Sequence, residues 1–150
     1  MTGVQTCALP IYKYFATLKR AAELNTKDPG VYMNLGVEYA SRKDTARAIE
    51  YNERAITLDP RQEKAHANLG ILYASKKEYL TAQKHFTTAI SLGMREPVVY
   101  RYAGDVCAML DQYDKALQYY NAYLERMPND ERVRKVRDRV RESMSSVQKP

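Results

Sequence analysis

The stretch Glu63–Glu96, EKAHANLGILYASKKEYLTAQKHFTTAISLGMRE, decides the fold of this 150-residue chain, because the sequence on either side repeats it. Three glycines fix the register: Gly36, Gly70 and Gly104 each stand 34 residues from the next. Ala48, Ala82 and Ala116 keep the same step. Further columns carry substitutions: Leu35, Leu69 and Ala103; Tyr39, Tyr73 and Cys107; Ala55, Ala89 and Tyr123; Pro60, Met94 and Pro128. A fixed period of this length is the signature of a repeat architecture.

The residue types say why such a unit must stack. His66, Leu69, Gly70 and Tyr73 recur at three- and four-residue spacing, which puts them on one stripe of a helix over Glu63–Ser75, helix A. After the polar turn Lys76-Lys77-Glu78, a second stripe of Tyr79, Ala82, Phe86, Ala89 and Ile90 predicts helix B over Tyr79–Ser91. Gly70 and Ala82 are small where the two helices approach, so a bulky residue at either overpacks by roughly 1–3 kcal/mol. Two short helices cannot bury these stripes alone, whereas stacked neighbours can.

These residues carry a resemblance. The run His66-x-x-Leu69-Gly70-x-x-Tyr73, followed by Ala82, Phe86 and Ala89, resembles a tetratricopeptide repeat (TPR). Pro29–Gln62 matches through Tyr32, Leu35, Gly36, Tyr39, Ala48, Ala55 and Pro60, with Asn52 in place of the helix-B aromatic. Pro97–Asp130 matches through Tyr100, Gly104, Tyr113, Ala116, Tyr120 and Pro128, and departs at Ala103, Cys107 and Tyr123. The three copies cover 102 of 150 residues without a gap. The resemblance implies an all-α fold, a right-handed α-α superhelix of helix-turn-helix repeats, and a role in protein–protein interaction.

The ends read differently. Met1–Ile11, MTGVQTCALPI, lacks the repeat and helical periodicity, and resembles the conceptual translation of a sequencing adapter. It is therefore expected to lie outside the fold, as a scar on a gene truncated at its 5′ end. Cys7 goes with it, leaving Cys107 alone and no disulfide framework. The sequence then assigns no localisation. Tyr12–Asn25 fits helix B of an earlier repeat, with Leu18 and Ala21 at the family's positions. With its helix A missing, the face of Tyr14, Phe15, Leu18 and Ala21 is expected to be partly uncovered, favouring fraying or self-association.

At the other end, Asn129-Asp130 suits a helix cap, and Val133, Val136, Val140, Met144 and Val147 mark a single apolar stripe. The glycine column ends at Asp138, so this is expected to be a terminal capping helix, with Ser145–Pro150 a frayed tail. From Glu131 to Pro150 seven Lys and Arg stand against three acids, a net +4 of the chain's +6. Arg132, Arg134, Lys135, Arg137, Arg139 and Arg141 are dense enough to meet nucleic acid or an anionic surface. Their plainer reading is a solubilised cap with local ion pairs. No interleaved aromatics offer a single-strand stacking platform.

Within helix A, positions four, seven, eight and eleven face the packing, and positions two, five, nine, twelve and thirteen lie roughly opposite. Stacking aligns the latter into a concave surface. It comprises Met33, Val37, Ala40 and Ser41; Lys64, Ala67, Ile71, Ala74 and Ser75; Val98, Arg101, Asp105, Ala108 and Met109. Small and apolar residues with a polar end suit an extended peptide or an amphipathic helix. The resemblance adds a sharper possibility, since some TPR domains clamp an acidic C-terminal peptide with lysine, arginine and asparagine on successive A helices. Asn34, Lys64 and Asn68 sit where parts of such a clamp would be, but Asn68 stands where a basic residue is expected.

Other chemistry finds little purchase. His66 falls at a packing position, His85 on helix B, and neither has a partner at metal-ligand spacing. Cys107 replaces a packing tyrosine and reads as a buried thiol. The thirteen tyrosines mostly occupy packing columns. There is no glycine-rich phosphate loop, no GxSxG and no apolar run near 18 residues. The expectation is a non-enzymatic scaffold without cofactor or metal, binding a protein or peptide in its groove. A regulatory or substrate-binding module of a larger enzyme, and an anionic-surface binder working through the terminal helix, are the alternatives.

Overall fold

A computed structural model describes the backbone of residues 8–24 and 26–147, and the side chains of 13–24 and 26–145. Most of the expected scar, including Cys7, and the last residues of the expected tail lie outside this range. The described residues form eight helices: α1 (Ala8–Glu23), α2 (Pro29–Ser41), α3 (Thr45–Leu58), α4 (Glu63–Ser75), α5 (Tyr79–Ser91), α6 (Pro97–Met109), α7 (Tyr113–Arg126) and α8 (Glu131–Val147). Helix α1 begins at Ala8, ahead of the expected Tyr12. None of the described helices is long and apolar enough to cross a membrane.

Local chemistry sets the boundaries. Asp28 caps α2, its carboxylate accepting from Gly30 N at 2.8 Å, with Pro29 in the first turn. Asp44 caps α3 by accepting from Arg47 N. Asp130 is the cap expected before α8: its Oδ1 accepts from Arg132 N and Val133 N, and its Oδ2 from the Tyr123 hydroxyl at 2.6 Å. Those donors hold the Asp130 carboxyl below its ordinary pKa, the tyrosine bond first. Each A-to-B turn passes through one left-handed residue, Lys43, Lys77 and Asp111, with φ of 62°, 62° and 56°. The next residue's N–H then returns to the helix: Asp44 to Tyr39 O, Glu78 to Tyr73 O, Gln112 to Cys107 O.

Packing follows the 34-residue columns. Helices pair as α2–α3, α4–α5 and α6–α7, consecutive pairs stack, and α2–α4 and α4–α6 also touch, which makes a solenoid. The glycines sit where each pair crosses. A Cβ on Gly70 would lie 2.6 Å from Phe86 Cε1, and one on Gly104 2.8 Å from Tyr120 Cε1. On Gly36 it would lie 2.1 Å from Asn52 Nδ2. Asn52 thus fills the aromatic place, wholly buried, with its amide donating to Ala48 O at 2.7 Å. Its Oδ1 accepts from Asn68 Nδ2 at 3.1 Å, so no polar atom is stranded. At the N-terminal end Leu18 is buried and Phe15 packs edge-on to Tyr39, while Tyr14 is 48% exposed.

Candidate peptide-binding groove

Helices α2, α4 and α6 lie side by side, and two apolar depressions form between them. The first, of about 250 Å³, is lined by Met33, Val37, Lys64, Ala67, Asn68 and Ile71, with Met94, Glu96, Val98 and Val99 closing it. The second, of about 330 Å³, is lined by Ile71, Ala74, Ser75, Tyr79, Tyr102, Asp105, Val106 and Met109. Ile71 is common to both, so they form one track crossing three A helices. Val37, Val98 and Met109 are exposed apolar side chains on it, at 47%, 42% and 60%.

Of the twelve residues proposed from sequence, nine line these two depressions: Met33, Val37, Lys64, Ala67, Asn68, Ile71, Ser75, Asp105 and Met109. Arg101 belongs, with Asp105, to a third cavity of about 330 Å³ between α6, α7 and α8. Asn34 and Ser41 line none of the three; the Ser41 hydroxyl donates to Glu38 O. Asn68 has a double role, facing the track while its amide is spent on Asn52. Met94, Glu96, Tyr79 and Tyr102 lie outside the concave face expected from sequence, because they come from loops and packing columns rather than the outward face of helix A.

The third cavity is polar. Asp105 accepts from Arg101 Nη1 at 3.1 Å and from the Tyr120 hydroxyl at 2.8 Å. Burial and the Asp105 charge push the Tyr120 phenol up, so it stays a donor. Arg132, Val133 and Val136 of α8 form the opposite wall.

Away from the track, the two histidines meet. His66 Nε2 faces Pro60 O at 3.1 Å, and a carbonyl accepts only, so Nε2 carries a proton. In the neutral ring His66 Nδ1 is then the acceptor for His85 Nδ1–H, 3.1 Å away. Tyr73 stacks on His85 at 5.6 Å between centroids and donates to Glu53 Oε1 at 2.8 Å. Burial first, then its neighbours His66 and Lys84, which disfavour a second positive charge, holds His85 below its ordinary pKa. Cys107 is buried and accepts from Gln83 Nε2, with burial pushing its thiol up and away from the reactive thiolate. A larger depression, about 500 Å³, lies elsewhere, between α1, α2 and α3, where Lys19, Glu23, Glu50, Glu53 and Arg54 mix both charge signs around Tyr32 and Tyr51.

Comparison with known proteins agrees with this architecture. Two family models, each described as tetratricopeptide repeat, match residues 29–62 and 67–131. The chain belongs to the tetratricopeptide repeat family. Among solved structures it is similar to YrrB, a TPR protein with an unusual peptide-binding site, at 28% identity and TM-score 0.75, over 78% of this chain and 60% of that one. It thus spans less than two thirds of YrrB. MamA shares the fold at 18% identity and TM-score 0.82, over 97% of this chain and 86% of that one. So does the first TPR of Spaghetti (RPAP3) bound to an HSP90 peptide, at 19% identity and TM-score 0.73, over 79% and 94%. A search of curated proteins gave no match.

Proposed function

We propose that this chain is a protein-interaction module that binds a partner peptide or helix along the track crossing α2, α4 and α6. One observation carries the reading: exposed Val37, Val98 and Met109 and half-buried Met33 and Ile71 line a continuous apolar path that the fold leaves uncovered. Burying apolar area is worth about 25 cal/mol per Å². A few seated side chains therefore offset part of the cost of association, which a partner already ordered as a helix keeps low. The likeness to YrrB supports the same use of the fold. Lys64 and Glu96 at the rim add orientation rather than affinity.

A displayed library of random 16-residue peptides, panned on the full chain, tests it. The account expects enriched sequences rich in apolar residues, and at least tenfold weaker binding to a folded Val37→Glu/Ile71→Glu variant. Equal binding to parent and variant would remove the track from consideration. The exposed Tyr14 offers a second surface, for self-association, which concentration-dependent sedimentation of the parent against Tyr14→Lys measures.

A further inference from the structure

His66 and His85 stand 19 residues apart in sequence, and the pairing of α4 with α5 brings them face to face. Both occupy columns that hold tyrosine in the other copies: Tyr32 and Tyr51 one period earlier, Tyr100 and Tyr119 one period later. The frame therefore packs without imidazoles at these places, and only the middle repeat sets two ring nitrogens against each other.

The two rings are aimed at one point. Their Nδ1 atoms are 3.1 Å apart and their centroids 5.4 Å. The difference is close to twice the distance from an imidazole's centre to its nitrogen, so each ring points Nδ1 almost straight at the other. Both rings are also held from outside. His66 Nε2–H donates to Pro60 O, the arrangement that fixes the tautomer of a ligating histidine and leaves a lone pair on the opposite nitrogen. His85 lies against Tyr73 with 3° between the ring planes, and the Tyr73 hydroxyl is anchored on Glu53. His66 is buried and His85 half-buried, which shields the gap between them. Among the described residues, no third His, Cys, Asp or Glu completes a metal-holding group with the pair.

We propose that His66 and His85 bind one copper(I) ion between their Nδ1 atoms. Zinc(II) fills four positions, more than two nitrogens in a shielded gap supply. A monovalent d10 ion accepts two opposed ligands, and imidazole suits copper. With metal–nitrogen bonds of about 2.0 Å, a straight nitrogen–metal–nitrogen line spans about 4 Å, so the rings part by roughly 0.9 Å. His85 makes that move within its own plane, because the axis through its centroid and Nδ1 lies in the ring, and the slide keeps its stack on Tyr73. The proton on His85 Nδ1 passes to Nε2, so both rings stay neutral, both Nδ1 lone pairs face the ion, and no proton is released. The site is independent of the groove, since neither histidine lines its two depressions.

Anaerobic titration of the full chain with copper(I), in competition with a chromophoric copper(I) chelator, tests the site. Every sample carries Cys7→Ser, which removes a competing soft thiol. The expected result is one copper(I) per chain, held at least tenfold more weakly by His66→Tyr/His85→Tyr. That variant copies the Tyr32–Tyr51 pair, so its helix content and melting temperature should stay close to the parent's. In the parent, NMR spectra of the imidazole nitrogens should show His85 passing from the Nδ1–H to the Nε2–H tautomer as copper is added. Equal retention by parent and double variant would overturn the inference and move the ion to Cys107 or the methionines. Copper binding that leaves the His85 tautomer unchanged would overturn it as well. Displacement of the copper by an equal concentration of zinc(II) or nickel(II) would overturn the two-coordinate assignment.

Discussion

The α2–α3 and α4–α5 pairs are built on one frame with their polar and apolar positions exchanged. In α4–α5 an aromatic, Phe86, faces Gly70, and Tyr102 of the next repeat stacks on it at 6.3 Å. In α2–α3 the same places hold Asn52, facing Gly36, and Asn68, which donates to it. The ring column is reversed. Tyr32, Tyr51 and Tyr39 stack at 6.4 and 5.2 Å in the first pair, where the second has His66, His85 and Tyr73. The frame fixes which side chains meet, and their chemistry varies as long as each buried polar atom finds a partner.

The sharpest way to break this symmetry is Phe86→Ala. Removing a fully buried ring is expected to cost about 3–5 kcal/mol. Asn52→Ala removes a smaller side chain and should cost clearly less, which paired urea denaturation curves will show. Next come the glycines. Gly70→Ala must displace Phe86 at about 1–3 kcal/mol, outweighing the ~1 kcal/mol gain in helix propensity. Gly36→Ala must also dislodge the Asn52 amide from Ala48 O, so it is expected to cost at least as much. Asn68→Ala leaves the Asn52 oxygen buried and unpaired, about 1–3 kcal/mol in thermal or urea unfolding.

The histidines sharpen the comparison through pH. Folding holds His85 below its ordinary pKa, so the unfolded chain binds the extra proton first. Stability therefore falls as pH drops below about 6.5. With both rings charged, N–H groups would also face each other at Nδ1. Melting temperatures between pH 7.5 and 5.5 should show the loss, and His85→Tyr, which copies Tyr51 of the first pair, should flatten it. The smallest effect is expected at the turn: Lys77→Gly relieves a left-handed backbone and should raise stability by a few tenths to about 1 kcal/mol.

Much of this was legible because the period puts equivalent residues in columns. The glycine column located the crossing inside each of the three pairs, and the outward face of helix A anticipated most of the residues lining the two depressions. Asn52 reads as a departure, and its bond to Asn68 is hidden from the sequence because it joins two repeats, whereas the periodicity describes each repeat separately. The His66–His85 contact had a signal too: shifting both back by 34 residues gives Tyr32 and Tyr51, a pair of aromatics in the preceding copy. Contributions from Met94, Glu96 and Tyr102 were hidden because a loop and the packing face of the next helix supply them, which one-helix periodicity cannot forecast. The terminal helix read as basic cap because its glycine column ends, whereas its buried valines carry the register on.

The central claim is that the concave row of A helices is the working surface. Amide chemical-shift mapping of the labelled chain titrated with the best library peptide tests it most directly. The account predicts shifts concentrated at Val37, Ala67, Ile71 and Met109. Shifts confined to α3, α5 and α7, or to the cavity around Tyr51, with those residues unmoved, would contradict it.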